Sequence, residues 1–187
     1  MTLPRIFVAM CLLLLSACGG GEKPWFADFN EVRESYGLSD ALIPQQPFRN
    51  APDISVGFGE KTDGVRFIWP ARGNLLAGFG AQEGGLRNDG INIALPPGSP
   101  VRAIASGRVV YVGNELKGYG NLLLISHADG WVSAYAHNGE ILVRRGDMVT
   151  QGDVVARSGS SGNVAVPQLH FELRRGSDAV DPMQYMG

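Results

Sequence analysis

Histidine is scarce in this chain, with three in 187 residues at positions 127, 137 and 170, and cysteine is scarcer, with Cys11 and Cys18 alone. Two cysteines, one of them inside a leader-like stretch, exclude a disulfide framework. No run of roughly 20 apolar residues occurs, so the sequence predicts no spanning helix. Charge of either sign is also modest, with a formal net of −2 at neutral pH. That balance excludes the basic footprint of a protein that grips nucleic acid. Lysine stands only at 23, 61 and 117, none of them in the Met-Lys setting of a swinging cofactor arm. What is plentiful is glycine, 26 residues, within a 44% hydrophobic composition. Many tight turns and one well-buried domain are the natural outcome.

Residues 1–17 have the make-up of a targeting segment: Arg5, then an uncharged apolar stretch over 6–15, then Ser16-Ala17. Leu15-Ser16-Ala17-Cys18 resembles a bacterial lipobox, which implies acylation of Cys18 as the mature N-terminus and a membrane attachment by lipid anchor. Gly19, Gly20 and Gly21 suit a tether, and a glycine after the acylated cysteine implies the periplasmic face of the outer membrane. Loss of 1–17 removes Arg5 and no acid, taking the charge from −2 to −3. Residues 18–64 read as the acylated cysteine and tether, with short helical candidates over 26–36 and 39–42 broken up by Pro44, Pro47 and Pro52.

From residue 65 to 187 the pattern becomes a series of short apolar, β-branched runs at near-regular spacing, punctuated by glycine, and predicts an all-β fold of antiparallel sheet folded on itself. Strands are expected over 74–79, 101–105, 107–112, 122–126, 132–136, 141–143, 148–149, 154–156 and 169–173, with loops around 88–93. In the last strand, apolar Leu169, Phe171 and Leu173 alternate with Gln168, His170 and Glu172. The three polar side chains therefore share one face. A second histidine at 168 would complete a metal-binding pair; glutamine stands there instead.

Residues 69–80, Gly90 to Ala94, Gly107-Arg108-Val109-Val110-Tyr111, Gly118-Tyr119-Gly120-Asn121, Tyr135-Ala136-His137 and Leu169-His170-Phe171-Glu172 resemble, in this order, the LytM-type domain of the M23 peptidases. Active members are zinc endopeptidases that cut peptide cross-bridges of peptidoglycan. The resemblance implies a zinc held by a His and an Asp four apart around a glycine and by the second His of a His-x-His strand. It implies water activation by the first His of that strand and by the His of the Tyr-Ala-His segment. Carried onto this chain, the four-apart pair falls on Asn88 and Asn92, the His-x-His pair on Gln168 and His170, and the Tyr-Ala-His histidine on His137. Carboxamides bring neither anionic charge nor an imidazole nitrogen to Zn²⁺, and Gln168 cannot shuttle a proton. Asp89 is no substitute, because an extended 88–92 segment points it away from its neighbours. No catalytic residue, metal or cofactor is therefore expected, with zinc reserved for the alternative of an active endopeptidase.

The resemblance is strongest to degenerate members that are lipoproteins and murein hydrolase activators. It implies a partner, an N-acetylmuramoyl-L-alanine amidase whose own site is blocked by a helix, engaged through a groove lined by Asn88, Asn92, His137, Gln168 and His170. Peptidoglycan, the bacterial cell envelope and cell division supply the setting. Such activators also carry a glycan-binding LysM module, for which this sequence shows no pattern. A passive peptidoglycan-binding scaffold is a third reading. Elsewhere, His127 before Ala128-Asp129-Gly130 is expected as a turn residue, His137 on a strand face with Ser133 and Tyr135, and Tyr119 and Trp131 either as groove walls or as surface aromatics.

Overall fold

The computed structural model describes residues 66–116 and 118–187; the leader, Cys18 and the tether lie outside the described residues. The organising strand is β11 (Gln168–Arg175), whose neighbours are β4 (Ile91–Ala94) on one side and β8 (Trp131–Ile141) on the other. They belong to a 10-stranded antiparallel sheet that continues from β4 to β1 (Asn74–Ala77), and from β8 through β7 (Asn121–Ser126) and β6 (Gly107–Gly113) to β9 (Met148–Val149). Strand β10 (Val154–Ser158) joins the far end of β8 to β5 (Pro100–Arg102), β12 (Asp178–Val180) pairs with β11, and β2 (Gly80–Ala81) with β3 (Arg87–Asn88) forms a separate two-stranded ribbon.

Alternation in β11 sets the layers. Leu169, Phe171 and Leu173 are fully buried in the main core with Ile91, Ile93, Leu123, Ile125 and Tyr135. The opposite face carries a smaller cluster around Tyr111, Tyr119, Leu122, Leu124, Ala134 and Ala136. Strand β7 is covered on both faces, which is why it reads as the unbroken run Leu122-Leu123-Leu124-Ile125.

Two expectations about elements are corrected. The segment expected as loop around 88–93 contains β4, because Asn92 and Ile93 complete the ladder between β1 and β11. Leu142 and Val143 fall outside the strands, as β8 ends at Ile141 and the chain turns over Arg144 and Asp147, held by the Arg144 N–H on the Asp147 carboxylate at 2.8 Å.

His127 also departs from expectation. It does begin a short 3-10 turn, but its ring is fully buried, with Nδ1 donating to the Ser106 carbonyl (3.0 Å) and Nε2 accepting from the Ser133 hydroxyl (2.7 Å). The Tyr135 hydroxyl lies 3.0 Å from Ser133 Oγ and accepts the Ile104 N–H at 3.1 Å. Burial lowers the pKa of His127 from 6.5 to about 4. A histidine whose folded pKa is depressed stabilises fully above its unfolded pKa and loses that contribution as pH falls toward the folded value. Urea denaturation is therefore expected to show stability dropping between pH 6.5 and 4.5, before carboxylates titrate, by up to about 3 kcal/mol from His127 as pH approaches 4. His127→Gln should remove about half of the slope in that window, because His137 carries a similar shift; an unchanged slope would refute the assignment.

Candidate functional site

Gly90 shapes the first wall of the site. A Cβ there would stand 2.2 Å from the Phe171 carbonyl, so only glycine lets the chain between Asn88 and Ile91 press against β11. Asn88 and Asn92 thereby arrive beside His170. The register places Asn92 opposite His170 on one side of β11, and Ala136 opposite His170 with Ala134 opposite Glu172 on the other. The two alanines leave room over β8 for the larger side chains of β11.

A continuous hydrogen-bonded network results. The Gly90 N–H donates to Asn88 Oδ1 (3.2 Å) and Asn88 Nδ2 donates to the Gly78 carbonyl (2.9 Å), so two backbone groups fix the orientation of that amide. The same Nδ2 donates to Asn92 Oδ1 (2.9 Å), and Asn92 Nδ2 donates to Gln168 Oε1 (2.7 Å). His170 Nδ1 then faces Asn92 Oδ1 at 3.2 Å, while its Nε2 faces Glu172 Oε1 at 3.1 Å. Both ring nitrogens meet oxygen atoms, so the ring is held between the Asn92 amide and the Glu172 carboxylate.

Glu172 is the hub. It is fully buried and accepts from His170, from Tyr119 Oη at 2.9 Å and, through Oε2, from Arg174 Nη1 at 2.7 Å. Arg174 is itself anchored on the Ser177 carbonyl (2.7 Å). Burial alone would raise the pKa of Glu172, but the bond from His170 and the charges of His170 and Arg174 outweigh it and hold the carboxyl below its ordinary value. Burial and the adjacent carboxylate push the Tyr119 hydroxyl the other way, far above the usual phenol range.

His137 reaches this cluster by breaking the alternation of β8. Its backbone is left-handed, with φ of 63°, so its ring turns away from the side of Ser133 and Tyr135 and lies 6.1 Å from that of His170. Nδ1 donates to the Ser161 carbonyl at 2.9 Å. Burial, with a smaller push from His170, lowers its pKa to about 4 against the opposing effect of that bond.

Asn88, Asn92, His137, Gln168 and His170 are thus brought together as expected, but in the interior: none is more than 9% exposed. They form a buried polar floor, and exposed apolar side chains stand on the segments flanking it, Leu76 beside β4, Leu86 before Asn88 and Val166 before Gln168. Tyr119 is buried against His170 with ring centroids 5.9 Å apart. Trp131 is neither groove wall nor surface: it packs in the main core between Phe67 and Tyr185, under Arg175. Asp89 points away and pairs with exposed Arg87 at 2.9 Å. No motif points to Arg174, although it continues the 168, 170, 172 alternation.

The donor set does not fit zinc. The oxygens of Asn92 and Gln168 accept from neighbouring amides, and neutral carboxamides at 88, 92 and 168 bring a metal neither anionic charge nor an imidazole nitrogen. Among the described residues no three of His, Cys, Asp and Glu converge to hold an ion.

Comparison with known proteins agrees with this architecture. Residues 86–182 match Peptidase family M23. The chain is similar to the cell division protein DipM of Caulobacter vibrioides, 47% identical over 109 residues that cover 58% of this chain and 18% of that protein. It is similar to the murein hydrolase activator NlpD of Escherichia coli, 48% identical over 118 residues that cover 63% of this chain and 30% of the relative. The aligned part thus spans less than a third of the length of either. Among solved structures it resembles a zinc-containing peptidase from Vibrio cholerae, with a TM-score of 0.60 and 30% identity, covering 63% of this chain and 39% of that one.

Proposed function

The chain belongs to peptidase family M23, matched over more than half its length, and we propose that it has given up the peptidase reaction and activates a cell-wall hydrolase, an N-acetylmuramoyl-L-alanine amidase, by binding. The observation that carries this reading is the network at the family's metal positions: Asn88, Asn92 and His170 satisfy one another, and Gln168 stands where a proton-carrying imidazole is needed. A peptidase that had only lost its metal would leave polar groups seeking partners. Here direct bonds between amides join Asn88 to Asn92 and Asn92 to Gln168. Similarity to a relative named as a murein hydrolase activator supports the same direction.

On this reading the protein is an envelope lipoprotein, lipid-anchored through Cys18 at the periplasmic face of the outer membrane, working on peptidoglycan during division. The buried floor offers a partner little direct contact, so affinity comes from the apolar rim of Leu76, Leu86 and Val166, suited to the apolar face of a helix.

Adding the purified chain to amidases of the same organism, assayed by release of muropeptides from sacculi, is expected to raise the rate at least tenfold with at least one of them. Leu86→Asp with Val166→Asp should abolish the stimulation and leave the thermal melt unchanged. No stimulation of any amidase, or cleavage of cross-bridge peptides by the chain alone, would sink the proposal. Pelleting with sacculi without a change in hydrolase rate would mark a passive scaffold instead.

A further inference from the structure

A second concavity, sharing no residue with the network around His170, lies where the described chain begins. It is a cleft of about 690 Å³. Its floor is Ala71 and Leu95, both buried, and its walls are Ile68 and Trp69, the latter 37% exposed. Arg72 and Arg102 border it, both exposed, with Arg102 steadied by donation to the Gly152 carbonyl at 2.7 Å. An apolar trough edged by two guanidinium groups calls for an occupant that is apolar on one side and acidic beside it.

The chain itself carries such a segment. Residues 18–65 contain eight acidic and four basic side chains, whereas residues 66–187 contain ten and eleven. The two parts therefore carry opposite net charge. Within the acidic part, Trp25, Phe29, Val32 and Tyr36 follow the spacing that a helix gathers into one stripe, and Asp28, Glu31 and Glu34 stand among them. The 29 residues that follow Tyr36, up to Val65, can extend for roughly 95 Å, far more than the cleft requires, because Ile68 and Trp69 on its wall are two and three residues from Arg66. Attachment in the same chain also gives the segment an effective concentration on the order of millimolar.

We infer that this cleft is the docking site of the chain's own segment 25–36, with its aromatic stripe against Trp69 and Ile68 and its acids toward Arg72 and Arg102. Docking here holds the tether to the domain while leaving the groove over Asn92 and Gln168 open, the opposite of a lid.

The test uses the full chain purified in detergent, with p-benzoylphenylalanine replacing Trp69 and, in a second preparation, Arg72. Irradiation and peptide mapping are expected to give cross-links within one chain to residues 25–36 from both positions, at a yield independent of protein concentration. Phe29→Ser with Val32→Ser should lower that yield at least fivefold, and charge reversal by Arg72→Glu with Arg102→Glu should do the same to the probe at 69, in each case with an unchanged melt. Adducts confined to residues 66–187 or to detergent would overturn the inference. So would cross-links to a second copy that increase with concentration, or a yield indifferent to these substitutions.

Discussion

Replacing Glu172 by alanine is expected to cost about 3–5 kcal/mol and to lower the melting temperature by more than about 10 °C. The carboxylate is fully buried and receives donors from Tyr119, His170 and Arg174. Removing it leaves the Arg174 guanidinium, itself only 5% exposed, facing a void with its positive charge uncompensated, while Tyr119 and His170 each lose an acceptor. The magnitude comes from this asymmetry rather than from the intrinsic worth of the ion pair, since burying both charges is costly in the first place. Glu172→Leu combined with Arg174→Met should accordingly recover part of the loss. Calorimetry of the three forms decides the matter: a Glu172→Ala variant within about 1 °C of the parent would mean that the network contributes nothing to the fold.

The same network shows why part of the site is legible in the amino-acid sequence and part is not. Period-two alternation places Gln168, His170 and Glu172 on one face, and the four-residue spacing around Gly90 places Asn88 beside Asn92, because strand geometry and a close backbone approach are local consequences of residue type. His137 lies on the other side from the one alternation predicts, because a single left-handed residue reverses the pattern and nothing about histidine signals a φ of 63°. The burial of His127 depends on Ser106 and Ser133 arriving from elsewhere in the fold, which sequence spacing cannot show. Arg174 follows from the same logic as Glu172. It sits two residues further along the same face, and a buried carboxylate needs a cation to stay ionised. Ala134 and Ala136 are a further signal, since alternating alanines on a central strand mark space reserved for large side chains opposite.

If the site is an M23 framework whose metal positions were replaced while its geometry was kept, putting the ligands back should restore the metal. Asn88→His, Asn92→Asp and Gln168→His together are expected to yield about one tightly held zinc per chain after dialysis, measured by elemental analysis, against none in the parent. The distances favour this outcome. Asn88 Nδ2 lies 2.9 Å from Asn92 Oδ1, and Asn92 Oδ1 lies 3.2 Å from His170 Nδ1, so the tips of Asn88 and His170 already adjoin that of Asn92, as ligands with bonds of about 2.0–2.2 Å to a shared ion must. The replacement works through protonation as well as ligand type. An aspartate at 92 with a histidine at 88 replaces two neutral amides by an anionic oxygen and an imidazole nitrogen, the donors that zinc takes. Without metal the triple variant should be less stable than the parent, because a new carboxylate is buried at position 92 and the bonds between the amides are gone. With zinc present its melting temperature should rise as metal binds the folded form alone. The single Asn92→Asp variant separates charge from coordination: it should lose stability and retain no zinc, since one carboxylate and one imidazole fall short of the three protein ligands such a site requires. A folded triple variant that retained no zinc would show that the framework itself, and not only its ligands, has moved away from the peptidase geometry.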